Sequence, residues 1–289
     1  MAFDPTYRRG VILVSAATVV WSSAGLLARA VDIDPWTTLF WRSFHASIAI
    51  MLYLAWRDGR RLPAGFARLG TVGVAMGVCF AVSMIAFIYG LSLTSVATTL
   101  IFQAAAPLIA ASLAFFFLGE RVSRTKLIAI LVSFAGVLVI VGAAPDLRSL
   151  WAVAVAAICG IGYAITIVLA RARPDVPTTE ATVLALLIVG TSTVAFARMG
   201  LPPGQMALLS VFGIFQMGLG LILFTTGVRL IPAADAGLIG VLETVLAPVA
   251  VWLVFGEEPA TNTLIGGGIV VAAVVAVGVV ERGFRPSGK

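Results

Sequence analysis

Apolar residues run along this chain in long blocks parted by short polar stretches, and no block alternates with the period of two that marks a half-exposed strand. Residues 69–119 hold no Asp, Glu, Lys or Arg. About 20 apolar residues span a bilayer, so that block contains two helices and a turn. Further uncharged runs lie at 149–170, 199–228 and 259–280. Pro, Gly and charged residues break the pattern at 32–35, 57–68, 93–95, 119–121, 143–148, 171–177, 198–204, 229–232 and 256–259. The pattern predicts an all-α integral membrane protein with ten transmembrane helices, near 10–29, 36–56, 69–91, 95–118, 124–142, 149–170, 178–197, 205–228, 233–255 and 261–280.

Composition sharpens this picture. The 289 residues are 61% hydrophobic and 11% charged, against roughly 25% charged in a soluble domain. The formal charge of +6 does not mark a nucleic-acid binder, because the basic residues sit in short loops rather than on one solvated face. Of 19 Lys and Arg, 15 fall in alternate segments, among them Arg57, Arg60, Arg121, Arg173 and Arg229, and only Arg29, Arg148 and Arg198 fall in the others. That bias places both termini in the cytoplasm. Ala28-Arg29-Ala30 resembles a signal-peptidase site, but the preceding apolar run is too long for a signal peptide, so a retained first helix is expected. Cys79 and Cys159 form neither a disulfide framework nor a metal spacing, and no motif implies a metal or other cofactor.

The chain also repeats itself. Leu27-Ala28-Arg29-Ala30 recurs as Leu169-Ala170-Arg171-Ala172, with Pro35 and Thr37 recurring as Pro177 and Thr179, at an offset of 142. Further on the offset is 137, relating Phe87, Gly90, Gly119 and Glu120 to Phe224, Gly227, Gly256 and Glu257. Five helices per copy is an odd number, so the second copy enters the membrane from the opposite side. The expectation is two inverted five-helix repeats, 1–145 and 146–289, the symmetry that alternating access uses. The copies differ where Ala106 and Pro107 pair with Glu243 and Thr244 while the ninth helix has its proline at Pro248. Pro107 and Pro248 are candidate hinges, bending the two helices at different depths.

Polar groups deep in apolar runs are costly, so each needs a role. Glu243 is suited to binding a substrate amino group or a coupling proton, and equally to capping a backbone break or pairing with an arginine. Arg42 and His45 share one face of the second helix beside Trp41; Arg42 suits a substrate carboxylate or a structural lock against a carboxylate such as Glu243. His45 suits a proton relay or a satisfied core position. Ser22 belongs to a small-residue stripe with Ser15, Thr18, Gly25 and Arg29, which fits a cavity wall or helix packing, with Trp21 adjacent. Gln103 and Gln216 are lone amides inside apolar helices, and Tyr163 is the repeat partner of Trp21. No nucleotide-binding or hydrolytic motif is present, so transport on a solute gradient or with protons is favoured over catalysis.

These residues resemble the EamA family of the drug/metabolite transporter superfamily: the fourth helix ends Leu118-Gly119-Glu120-Arg121, the ninth carries Leu242-Glu243 and ends Phe255-Gly256-Glu257, and the second carries Arg42-Ser43-Phe44. Thr244 stands where the family often has proline. Within the family the chain is similar to bacterial amino-acid exporters of the YddG type. That resemblance implies a multi-pass protein of the bacterial inner membrane exporting aromatic or apolar amino acids. Drug or other metabolite efflux, and a non-transporting membrane enzyme or sensor, are the competing readings.

Overall fold

The computed structural model describes residues 5–119, 124–142, 147–231 and 233–283. Glu120 and Arg121 of the fourth predicted turn, Pro232 and the basic tail with Arg285 and Lys289 lie outside the described residues.

Among the described residues there is no strand, and the helices join into ten rods. The first is α1 (Pro5–Ser22) and α2 (Ala24–Val31); the second is α3 (Pro35–Asp58), followed by the short connecting helix α4 (Leu62–Ala67). The third is α5 (Gly70–Leu93), the fourth α6 (Val96–Ala104) with α7 (Ala106–Leu118), and the fifth α8 (Arg124–Gly142). The sixth is α9 (Leu147–Ala172) and the seventh α10 (Thr178–Thr193). The eighth joins α11 (Pro203–Ser210), a π-helical stretch (Val211–Leu219) and α12 (Gly220–Gly227). The ninth is α13 (Ala233–Val241) with α14 (Glu243–Phe255), and the tenth α15 (Thr261–Gly283).

Six rods, the first, third, fourth, sixth, seventh and eighth, are long and apolar enough to cross a bilayer. The second runs 24 residues but carries Arg42 and His45. The fifth, ninth and tenth contain the shorter apolar stretches 127–140, 239–255 and 261–277. Large apolar side chains point outward along these rods, with Phe116, Phe117 and Leu253 each more than 70% exposed, as lipid contact requires.

Local chemistry sets the ends. Asp34 accepts the Thr37 amide at 2.9 Å ahead of Pro35 at the start of α3, and Ser95 accepts the Thr98 amide at 3.1 Å at the start of α6. Gly119 and Gly256, with φ of 64° and 68°, stop α7 and α14 in the left-handed region where a Cβ is unfavourable.

Side-chain contacts sort the rod ends onto two faces. On one face Arg29 meets Glu257, Arg198 meets Asp34, and Gln205 donates to the Val31 carbonyl. On the other Arg57 meets Glu180, Tyr7 donates to Asp235, and Leu69 packs with Val176. These are called the Arg29 face and the Glu180 face below.

The packing of the rods is itself paired. α5 lies on α9 as α12 lies on α1; α10 lies on α5 as the π-helical stretch lies on α3; α7 lies on α9 as α14 lies on α1. α8 lies on α15, and α3 on α10. Exchanging each rod for the one five places on reproduces every one of these pairs. Where α8 crosses α15 the backbones almost touch: a Cβ on Gly136 would sit 2.6 Å from the Gly266 carbonyl, and one on Gly266 would run into that of Gly136. Apolar burial does not distinguish helix from lipid, so such close approach supplies the attraction.

Candidate functional site

A cavity of about 370 Å³ lies between the halves, within the size range of small-molecule sites. Its walls come mainly from rods three, six and eight, with residues added by rods one, two, four, seven and nine. Phe80, Met84 and Phe87 project from α5 at spacings of four and three, and their repeat partners Met217, Leu221 and Phe224 project from the eighth rod. Trp21 and Tyr163 complete two related corners, Trp21 packing on Phe224 with ring centroids 5.0 Å apart and Tyr163 on Phe80 at 5.9 Å. Thr178, Thr182, Thr225 and Arg229 line the end towards the Glu180 face, where Thr178 and Arg229 are exposed and form the mouth.

Arg42 and Glu243 lie deeper, away from the mouth. Arg42, only 4% exposed, donates from Nη2 to Gln216 Oε1 at 3.1 Å, approaches Met217 Sδ at 3.6 Å, and lies 4.8 Å over the Phe212 ring. Its Nε and Nη1 have no hydrogen-bond partner among the described residues. Gln216 sits in the π-helical stretch and donates to the Trp21 carbonyl at 3.4 Å, close to the break at Ser23 between α1 and α2. A π segment widens the turn and re-aims its side chains, here into the cavity.

Glu243 is the first residue of α14, directly after the break at Leu242. It lines the cavity and, placed at a helix N-terminus, meets the positive end of the helix dipole. The expected lock between Arg42 and Glu243 is absent: no ion pair joins them, because Arg42 is held by Gln216, Met217 and Phe212 on the side of the second and eighth rods. The two side chains therefore stand apart on the wall of one cavity.

Of the residues singled out from the sequence, Trp21, Arg42, Gln103, Tyr163, Gln216 and Glu243 line this cavity. Ser22, Trp41 and His45 do not. Ser22 Oγ donates back to the Thr18 carbonyl at 2.8 Å, and Gly25 packs on Val96 and Val251, so the small-residue stripe serves helix packing. Trp41 Nε1 donates to the Arg198 carbonyl at 3.0 Å near the Arg29 face and stacks on His45, whose Nε2 is 3.3 Å from Ser210 Oγ.

The expected bends at different depths are also corrected. The fourth rod breaks at Ala105 and the ninth at Leu242, positions related by the offset of 137, while α14 continues through Pro248. A proline disturbs the carbonyl four residues before it, which leaves Leu242 untouched.

The sequence reading missed the apolar lining, Met76, Phe80, Met84, Phe87, Met217 and Phe224 among it. One signal was present: Phe87 and Phe224 are repeat partners, as Trp21 and Tyr163 are.

No curated protein matches the chain. A crystal structure of a protein with 18% sequence identity shares the fold, with a TM-score of 0.66 over 96% of this chain and 99% of that one. The EamA-like transporter family matches residues 8–142 and again 150–279. Family members are membrane transporters of small molecules, a role that a cavity walled by long apolar helices suits. With both halves matched, the chain belongs to the EamA-like transporter family.

Proposed function

We propose that this chain is a secondary exporter of amino acids with aromatic or apolar side chains, working by alternating access across a bacterial inner membrane. The observation that carries the reading is the cavity in which Arg42 and Glu243 stand unpaired between aromatic walls. Arg42 offers a donor to a carboxylate, Glu243 an acceptor to an ammonium, and Trp21, Phe80, Tyr163 and Phe224 an apolar pocket for the side chain.

The architecture we infer is ten spans in two inverted repeats, 1–145 and 146–289, with the breaks at Ala105, beside Pro107, and at Leu242 as candidate hinges. The pairwise exchange of packing partners, the related cavity walls and the twofold family match support it. The excess of Lys and Arg on the segments of the Glu180 face supports a cytoplasmic place for that face and for both termini. The cavity mouth then faces inward, as expected for an exporter before loading. Protons are the candidate coupling ion, with Glu243 their candidate carrier.

Uptake of labelled phenylalanine into proteoliposomes tests the reading. Glu243→Gln is expected to lower the rate at least about tenfold, the effect of losing one charged contact. Unchanged transport removes Glu243 from the mechanism. Competition by lipophilic cations but not by zwitterionic amino acids would favour drug efflux instead.

A further inference from the structure

Arg29 ends the first rod in a node that spans both halves. Its Nε donates to Glu257 Oε2 at 2.7 Å, Nη1 donates to the Leu91 carbonyl, and Nη2 donates to the Thr94 carbonyl at 3.3 Å. Glu257 Oε1 in turn accepts the Val96 amide at 3.0 Å. One ion pair thus ties α2, the end of α5, the start of α6 and the turn after α14. Beneath it Ala24, Leu91, Val96 and Val251, each no more than 2% exposed, form an apolar plug between the node and the cavity.

We propose that the Arg29–Glu257 pair is the latch that keeps the bundle shut on the face opposite the mouth, and that it parts when the cavity opens there. The proposal rests on the alternating-access reading. Three features distinguish a latch from a permanent brace. The pair joins the first half to the second at the closed end of the cavity. Its side chains are 28% and 25% exposed, so water can solvate both charges once they separate, which a fully buried pair would not allow. Finally, the offsets of 142 and 137 relate Arg29 to Arg171 and Glu257 to Glu120, so the chain encodes the same two charges once for each face, Glu120 lying outside the described residues. At neutral pH the latch is charged: burial pushes the Glu257 carboxyl up, but the hydrogen bonds from Arg29 and the Val96 amide outweigh it and hold it below the ordinary carboxylate value.

The test uses full-length protein in proteoliposomes, with Cys79→Ala and Cys159→Ala removing the native thiols. Two reporters are read with a membrane-impermeant maleimide from each side: Ala24→Cys in the plug and Thr225→Cys at the mouth. Glu257→Gln is expected to speed labelling of the plug from the Arg29 face about tenfold and to slow labelling of the mouth from the other. Arg29→Gln should act alike, whereas Arg29→Lys keeps the charge and should leave both rates near native. Opposite shifts mark a change of state. No shift, or both rates rising together as in a loosened bundle, overturns the latch. If the native protein takes up labelled phenylalanine while the reporters stay fixed, only the latch fails; reporters that shift without any uptake leave the latch standing and sink the proposed cargo.

Discussion

The fourth and ninth rods make the same shape from different chemistry. Each is cut once at an equivalent position, Ala105 or Leu242, and each ends on a left-handed glycine. Past the cut the hydrogen bonds repeat: Leu108 and Ile109 donate to the Ala105 carbonyl, as Val245 and Leu246 donate to that of Leu242. In the fourth rod Pro107 lacks an amide to continue the ladder. In the ninth that position is Thr244, whose hydroxyl donates to the Val241 carbonyl at 2.7 Å and satisfies the group freed by the cut. The geometry is shared, while its cause and the residue beside it, Ala106 or Glu243, have diverged. Shape belongs to the bundle; chemistry belongs to one copy.

The largest effect should come from forcing the copies to match. Ala106 is fully buried against Ala110 and Ala164, so Ala106→Glu places a carboxyl where no cavity receives it. A loss of about 3 kcal/mol is expected, seen as loss of folded protein on heating in detergent. Full stability would mean that packing does not decide which copy carries the charge.

Next, Glu120→Gln should move the two thiol reporters in the sense opposite to Glu257→Gln, by up to about tenfold. Shifts in the same sense would show that the two turns are not functional mates.

Smaller effects probe the cut itself. Thr244→Val leaves the Val241 carbonyl without its hydroxyl donor and should cost about 1–2 kcal/mol in thermal stability. Thr244→Pro imports the device of the other copy into the first turn of α14 and should cost under about 1 kcal/mol. A larger loss from proline than from valine would mean that the threonine amide, not its hydroxyl, holds the break.

At the rod ends, Gly119→Ala and Gly256→Ala should each cost about 1 kcal/mol, from a left-handed residue gaining a Cβ. Unequal melting shifts would show that the two stops carry different loads.

The uncharged runs located the rods, because charge is excluded wherever lipid surrounds a helix. Trp21, Arg42, Gln103, Tyr163, Gln216 and Glu243 could be picked out by chemistry or repeat position, and the structure gathers them on one cavity. The break at Ala105 was marked by Pro107 two residues on, whereas those at Ser23 and Leu242 were hidden, with no proline beside them. Phe80 and Met84 were hidden for another reason: an apolar side chain reads the same whether it faces lipid or a solute. The partner of Arg42 lies 174 residues away, beyond any local pattern. Pro248 misled, since a conspicuous residue need not sit where the chain bends.

The last rods of the two halves, α8 and α15, meet glycine against glycine, with Ile140 and Ile269 packed beside the contact. On the alternating-access reading proposed above, so close an approach leaves the two rods little room to part, which suits that seam to be the fulcrum of the rocking. On that reading a side chain added at Gly136 or Gly266 meets the backbone of the opposite rod, so the rods must part there and the pivot moves with them.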